Sequence, residues 1–589
     1  MTAHNNLRWA SLLVEECVRQ GVTTFYAAPG SRSTPLVMAA ARHPSVSLSM
    51  HVDERATAFM ALGYGRATGR PAGWITTSGT ALANGFPAIV EASLEAVPML
   101  LLTADRPPEL RDTDANQTIR QDHIFGQHVR WFVDLPTPTD DIPPSWVLST
   151  VDEAIHRSRT GPVHVNCMYR KPLVPGPEDT PLRHDWWADE SVPGAGANWE
   201  RWRTGTAPFT WFLEPVSCDN AILDELHARI DAASRPFVVF GRLRGDVEDI
   251  QAAIRAFMAR YPAVGTADIG SQGRSGLMVD LVIPAMDALL YGNALQGLEP
   301  DLVVQFGATP VSRRLQEWAP EAERVVVDHR PRRIDPGSRG GWRLEWDAVA
   351  VLKGLAARPD GGERQALSSW QQSWRPVRAA VDAWLSADLG ESVTEQRIAH
   401  ELSVRLPDNA AFIVASSNPV RHADQFAATD TPAVPVSVNR GASGIDGTLA
   451  SAAGFADGSG RCPVVLIGDL ALQHDLTSLA LCADRKAVVV VINNDGGGIF
   501  SYLPIRKHED VFEPWFGTPH GLDFEAAARH FAVRYERPDS VESFRASVDD
   551  ALTGEEAVLV EVRTERTANL AEQRRLLDAL LERIRSARS

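Results

Sequence analysis

Two apolar runs late in the chain each end on a side chain able to bind a cation. "PVVLIGDL" contains Asp469, and "AVVVVINN" ends on Asn493 and Asn494. Between them, "ALQHDLTSLALCADRK" reads as a crossover helix. Consecutive parallel strands joined by a right-handed crossover put their C-terminal ends on one side, the side on which open α/β sheets bind ligands. The Asp469 carboxylate, the Asn494 amide oxygen and a carbonyl from the following glycine turn then form a hard, oxygen-rich set. Such a set suits Mg²⁺, which shares its remaining positions with phosphate and water. Gly496, Gly497 and Gly498 let the backbone approach a diphosphate. The plainer reading is a strand-end Asp followed by a glycine turn.

A second group lies near the start. In "SMHVDERATAFMALGYGRATG", Asp53, Glu54 and Arg55 follow a strand and open a glycine-studded helix. Acids favour the first turn of a helix, where its dipole is positive, so capping accounts for them on local pattern alone. A glutamate shielded from water has a raised pKa and can share a proton near neutral pH. Capping and catalysis are compatible roles. His51 and His123 receive no role, because a histidine after a strand is more often structural.

The elements that must position these residues repeat one theme. "TTFYAAPGS", "AGWITTSGT", "VPMLLLTADR" and "GPVHVNCM" are short apolar runs ending in turns, and they alternate with helix-like segments. That pattern predicts a parallel sheet covered on both faces. Residues 174–216, rich in Pro, Gly and Trp, read as a linker. A second α/β pattern contains "RPFVVFGRLRG", "DLVVQFGATP" and "AERVVVDHRP"; residues 357–392 read as polar or helical and connecting; a third begins near "AAFIVASSNP". The fold expected is α/β, with three doubly wound parallel-sheet domains at 1–185, 210–360 and 390–589.

Bulk properties exclude several classes. The 589 residues suit about three or four domains of about 150 residues each. Hydrophobic residues make up 44% and charged residues 23%, an ordinary globular balance. No segment is apolar over a length that would span a bilayer, and the start lacks the pattern of a signal peptide. The five cysteines, Cys17, Cys167, Cys218, Cys462 and Cys482, form no CxxC, which favours reduced thiols and a cytoplasmic location. A net charge of −17 argues against a nucleic-acid partner but leaves room for a local basic pocket.

The GD and NN pairs, each directly after a buried strand, resemble the metal–diphosphate motif of thiamine diphosphate enzymes; Leu470 stands where that motif has a second glycine. The segments "AAPGSRSTPL", "HVDERATAFMALG", "TTSGTALAN", "TADRPPELRDTDANQTI", "NRGASGIDG" and "NNDGGGIFSYLP" occur in order across the first and third domains. With "FGATPVSRRLQEW" in the central one, they resemble the MenD family, the 2-succinyl-5-enolpyruvyl-6-hydroxy-3-cyclohexene-1-carboxylate (SEPHCHC) synthases of menaquinone biosynthesis. The resemblance implies a transferase that uses thiamine diphosphate and Mg²⁺, or Mn²⁺. It implies decarboxylation of 2-oxoglutarate and addition of the resulting succinyl carbanion equivalent to isochorismate, with release of CO2.

The resemblance also assigns residues. The family's catalytic glutamate, which hydrogen-bonds the aminopyrimidine so that its exocyclic nitrogen can take the thiazolium C2 proton, falls on Glu54. The metal site falls on Asp469, Asn494 and the carbonyl of Gly496. Pro29, Ser443, Gly444 and Leu470 fall beside the cofactor, and Ile445 matches the apolar residue that props its bent conformation. The substrate positions fall on Ser31, Arg32, Arg106, Gln117, Ser417, Arg421 and Arg440, with Arg313 and Arg314 from the central domain; some relatives have Lys at the first of that pair. Arginine suits carboxylates because its planar fork binds them bidentately, although any one of these alone also reads as a surface residue. Ile499, Phe500 and Leu503 fall on apolar walls. Superfamily members bind the cofactor between subunits, so a homodimer or homotetramer is expected, with Gly63 and Gly65 allowing close packing at that interface. Three other readings stand against this one. Another thiamine diphosphate-dependent 2-oxo acid decarboxylase or carboligase fits the arginine set poorly. A silent cofactor-binding subunit has no need of Glu54, Asp469 and Asn494 together. A dinucleotide-binding central domain lacks its GxGxxG fingerprint.

Overall fold

Val488–Asn493, four valines followed by Ile and Asn, is buried along its whole length, as are Met99–Asp105 and Pro236–Phe240. Runs without polar alternation suit parallel strands covered on both faces. In the computed structural model, which describes residues 2–176, 182–183, 185–189, 197–212, 218–261, 263–359 and 368–588, they build three parallel sheets of six, five and six strands. The chain falls into two compact units, Met1–Glu214 with Arg440–Gly460, and Pro215–Asn439 with Arg461–Ser589.

The first unit holds β1 (Thr24–Ala27), β2 (Ser47–Met50), β3 (Ala72–Thr76), β4 (Met99–Asp105), β5 (Phe132–Leu135) and β6 (Pro162–Met168), in the order β2-β1-β3-β4-β6-β5. The order reverses between β1 and β3, and that switch point is where a doubly wound sheet opens a crevice. The helix Glu54–Thr68 packs on the helix Thr448–Ser459. A Cβ at Gly63 would stand 2.1 Å from the carbonyl oxygen of Ser451, and one at Gly65 would stand 2.4 Å from that of Pro98. The close approach these glycines permit is thus within the chain, a correction to the interface role expected for them.

The expected linker 174–216 also needs correction. Its residues 177–181, 184, 190–196 and 213–216 lie outside the described residues. The rest includes the helix Ala197–Thr204, whose Trp199 and Trp202 join Trp187, Leu12 and Leu13 in the core of the first unit. A buried indole removes about 150–250 Å² from water, worth several kcal/mol at about 25 cal/mol per Å², which docks the segment. Two buried acids complete the clamp. Glu16 accepts from Trp202 Nε1 and, at 2.7 Å, from the Phe209 N–H; Asp152 accepts from the Thr210 N–H at 2.7 Å.

The second unit carries two sheets. One contains β7 (Pro236–Phe240), β8 (Val264–Ala267), β9 (Leu302–Phe306), β10 (Glu323–Val327) and β11 (Trp342–Leu344), in the order β11-β10-β9-β7-β8. Its switch point lies between β7 and β9, and there the residues after β7 bond to the end of β9 and the loop beyond it: Gly241 N–H donates to Phe306 O at 2.8 Å, and Ala308 N–H to Arg242 O at 3.1 Å. This closure speaks against the dinucleotide reading. The other sheet contains β12 (Ala410–Val414), β13 (Val436–Val438), β14 (Cys462–Gly468), β15 (Val488–Asn493), β16 (Arg534–Glu536) and β17 (Val558–Arg563), in the order β13-β12-β14-β15-β17-β16. It repeats the winding of the first sheet. Residues 357–392, expected to be polar or helical and connecting, are helical over Ser369–Gln372 and Trp374–Ala387, but one face of the second helix is core rather than connection. The helix Trp374–Ala387 buries Trp374, Val377, Val381 and Trp384, and Trp384 Nε1 donates to Leu576 O at 2.8 Å. Residues 360–367 of that stretch lie outside the described residues.

Candidate active site

In the second unit, β14 runs directly into the helix Asp469–His474, and the pairing of Gly468 with Ile492 sets Asp469 beside the end of β15. Asp469 is buried. Its Oδ1 accepts from the Leu470 N–H at 2.7 Å and its Oδ2 from the Gly496 N–H at 2.9 Å. His520 Nε2 lies 3.2 Å from Oδ2; since His520 Nδ1 accepts from the Leu522 N–H, Nε2 carries the proton and donates. Burial raises the Asp469 carboxyl above its ordinary range, against these donors. Leu470 is the second residue of a helix, a conformation open to any side chain, so the departure from glycine costs nothing there.

Asn494 follows β15 and is buried. Its Nδ2 donates to Glu395 Oε1 at 2.8 Å, while its Oδ1 is buried with no partner. An orphaned buried acceptor costs about 1–3 kcal/mol. Beside it lie the Asp469 carboxylate and the turn at Gly496, where φ is +127° and a Cβ would stand 1.9 Å from Gly517 O. A carboxylate, an amide oxygen lacking a partner and a backbone carbonyl are the donors Mg²⁺ takes, so these residues fit a divalent cation.

Glu395 lies outside every expected site, yet it is buried at the centre of this one. It opens the helix Glu395–Val404. Its Oε1 also accepts from Asn569 Nδ2 at 3.0 Å, and its Oε2 lies 3.4 Å from Asn418 Nδ2 and from His422 Nδ1. Burial pushes its carboxyl up to about 7. Burial, and then Arg421, push His422 down to about 3, so this imidazole is neutral.

Ser417 follows β12 with φ 74° and ψ −134°, a conformation unusual for a residue with a Cβ. Strain of this kind collects at functional sites. Its carbonyl accepts from Arg421 Nη1 at 2.5 Å. Asp287, also outside the expected set, accepts from Ser312 Oγ at 2.7 Å, Arg314 Nη1 at 2.6 Å and Gln425 Nε2 at 2.9 Å. It also supports the charge of Arg421, which burial opposes. The structure therefore gathers Arg314 and Arg421 around Asp287. Arg313 is not in that group; it is 86% exposed and pairs with Glu317 at 2.7 Å. Beyond β15, Ile499 and Phe500 lie on the short turn Gly498–Tyr502, Phe500 packs edge-on against Phe516, and Leu503 is 46% exposed.

The remaining expected residues lie in the first unit. Asp53 is the helix cap, accepting from the Arg55 N–H at 2.9 Å. Glu54 is the first helical residue, half-buried, and its Oε2 accepts from Asn84 Nδ2 at 3.2 Å. His51 accepts from the Asp53 N–H at 3.1 Å, and His123 packs on Phe132. Pro29, Ser31 and Arg32 follow β1 at the switch point, and Arg106 follows β4. Arg32 Nη1 donates to Tyr169 O at 2.6 Å; Arg106 is buried beside it with Nη1 unpartnered. Burial and then the Arg106 charge weaken Arg32's hold on its proton. Gln117, exposed, donates to Ser78 O at 2.9 Å, and Ser78 Oγ is buried without a partner. In the loop after Arg440, Gly441 and Ala442 donate to Glu91 at 2.9 and 2.7 Å; Ser443 has φ 60°, Gly444 follows, and Ile445 is 36% exposed.

Comparison with known proteins agrees with this geometry. Residues 7–124 match the "Thiamine pyrophosphate enzyme, N-terminal TPP binding domain", 198–414 the "Middle domain of thiamine pyrophosphate", and 421–562 the "Thiamine pyrophosphate enzyme, C-terminal TPP binding domain". A Rubrobacter xylanophilus protein named 2-succinyl-5-enolpyruvyl-6-hydroxy-3-cyclohexene-1-carboxylate synthase is 47% identical over 98% of this chain and 98% of its own. A Salinibacter ruber protein of the same name is 46% identical over 98% of this chain and 96% of its own, and one from Chlorobium phaeobacteroides is 38% identical over 96% of each. The chain belongs to the SEPHCHC synthase family. SEPHCHC synthases are thiamine diphosphate-dependent carboligases, so the chain is a transferase of that kind with a three-domain α/β fold. Among the described residues no helix is long and apolar enough to cross a membrane. Glu395 and Asp287 escaped sequence reasoning. Glu395 meets Asn494 and Asn569 across 99 and 174 residues, and no local pattern announces such a contact.

Proposed function

We propose that this SEPHCHC synthase decarboxylates 2-oxoglutarate and transfers the succinyl unit to isochorismate in menaquinone biosynthesis, using thiamine diphosphate with Mg²⁺ or Mn²⁺. Bound thiamine diphosphate supplies a nucleophilic carbon and an electron sink. Glu54 holds and returns the proton on the aminopyrimidine side, and its bond from Asn84 fixes the carboxylate for that task. Asp469, Asn494 Oδ1 and the Gly496 carbonyl would hold the cation, which would neutralise the diphosphate charge. Pro29, Ser443, Gly444 and Leu470 would border the cofactor, and Ile445, partly exposed, would supply an apolar support for it.

The substrates carry four carboxylates between them. Arg32 and Arg106, with Ser31 and Gln117, form one cationic group; Arg421, Arg314, Arg313, Ser417 and Arg440 supply the others, with Ile499, Phe500 and Leu503 as apolar walls. The observation that carries this reading is Arg106 Nη1, buried and unpartnered beside a second buried guanidinium. Two facing cations are costly in an empty site and favourable once a carboxylate lies between them. Met50, 59% exposed, and Val52, 70% exposed, flank Glu54 and support a homodimer or homotetramer that covers them.

The test is CO2 release from 2-oxoglutarate with thiamine diphosphate and Mg²⁺, with and without isochorismate. Release coupled to isochorismate consumption, with the adduct seen by mass spectrometry, supports the synthase. Release indifferent to isochorismate points instead to a decarboxylase or a different acceptor, and no release with cofactor bound points to another 2-oxo acid.

A further inference from the structure

The geometry points to Glu395 as a positioning residue that aims the Asn494 side-chain oxygen at the divalent cation. The inference rests on the metal site proposed above. An asparagine amide is nearly symmetric in shape, so something must decide which end faces the cation. Glu395 decides it by chemistry: its carboxylate oxygens accept and do not donate at this contact, so the amide must present Nδ2 to Oε1 at 2.8 Å. Oδ1 is then left on the far side, buried and without a partner.

The surroundings hold both members in that sense. Asn569 Oδ1 accepts from the Glu395 N–H at 3.0 Å, which turns Asn569 Nδ2 onto the same Oε1, also at 3.0 Å. Oε2 faces Asn418 and His422. Both carboxylate oxygens are therefore occupied by protein groups, which fits a residue acting through Asn494 rather than a ligand. A Cβ at Gly498 would stand 2.5 Å from Asn494 Nδ2, so the backbone is packed against the amide and leaves it little space to turn. Partners that orient metal ligands in this way commonly change metal affinity about 10–100-fold when they are altered.

The test exchanges the polarity of the pair. In Glu395→Gln the new amide can donate to residue 494 and favours the wrong end of Asn494. In Asn494→Asp a second carboxylate meets Glu395. In the double variant Gln donates, Asp accepts, its other oxygen faces the cation, and the total charge of the pair is unchanged. Mn²⁺ binding is read from the loss of the free-ion EPR signal, with thiamine diphosphate present, alongside thermal melting. Each single variant is expected to bind Mn²⁺ at least about 10-fold more weakly, and the double variant to bind it more tightly than either. Unchanged binding in Glu395→Gln overturns the inference, as does a double variant no tighter than the better single. Glu395→Asp, which keeps the acceptor but shortens its reach, covers the case in which the Gln variant does not fold; parental Mn²⁺ affinity there also overturns it. Asn494→Ala separates the two levels, because unchanged Mn²⁺ binding in that variant removes the metal site itself.

Discussion

Under the proposed function, Arg32 and Arg106 serve a ligand at the expense of the empty fold. Both guanidiniums are buried, the Arg106 charge adds to burial in weakening Arg32's hold on its proton, Asp105 supports both charges, and Arg106 Nη1 has no partner. Replacing Arg106 by Met keeps aliphatic volume and removes the charge. Steady-state kinetics should show kcat/KM down about 100-fold with thiamine diphosphate affinity unchanged, while the melting temperature of the substrate-free protein holds or rises. A lower melting temperature with parental kinetics would make Arg106 structural. Glu54 makes the opposite case. Among the described residues its side chain has one hydrogen bond, from Asn84, so Glu54→Gln is expected to leave the fold and cofactor binding intact and to lower turnover about 10²–10⁴-fold. Cofactor titration by tryptophan fluorescence separates the two effects.

Among the elements, β1–β4, β6, β7, β9, β10, β12, β14 and β15 were legible, whereas β5, β8, β11, β13, β16, β17 and the segments between domains were not. β14 and β15 are uninterrupted apolar runs because they are covered on both faces, so their ends, and with them Asp469 and Asn494, can be found in the letters. Residues 174–216 carry the Pro and Gly that mark turns, but turn residues say nothing about whether Trp199 and Trp202 beside them are buried. Only the fold reveals the two acids that hold that segment. Burial, and then Asp152, push the Glu16 carboxyl up to about 9, so the folded state keeps a proton the unfolded chain has released. Wherever the folded state binds more protons, stability falls as pH rises. This contribution is complete below the ordinary glutamate range and is lost as pH climbs through the folded value. The melting temperature should therefore fall between about pH 6 and pH 9, and Asp152→Asn, which removes the neighbouring acid, should flatten that fall. An equal slope in both proteins would mean that Asp152 adds nothing to the shift and burial alone sets it.

For the whole molecule, the expected site residues divide between the two units: Glu54, Arg32, Arg106 and the Ser443–Ile445 loop in one, Asp469, Asn494 and Arg421 in the other. The proposed oligomer makes a distinct claim about this division, that one site draws Glu54 from one copy and Asp469 with Asn494 from a second. Subunit mixing tests it. Glu54→Gln and Asn494→Ala are each expected to be nearly inactive alone. In a mixed twofold dimer one site receives both defects and the other receives neither. Random reassortment of equal amounts then makes half the dimers mixed, and activity recovers to about a quarter of the parental value. If both groups of a site come from one copy, every site in the mixture keeps a defect and activity stays near zero. The recovery should also require subunit exchange, so chemical cross-linking of each variant before mixing abolishes it.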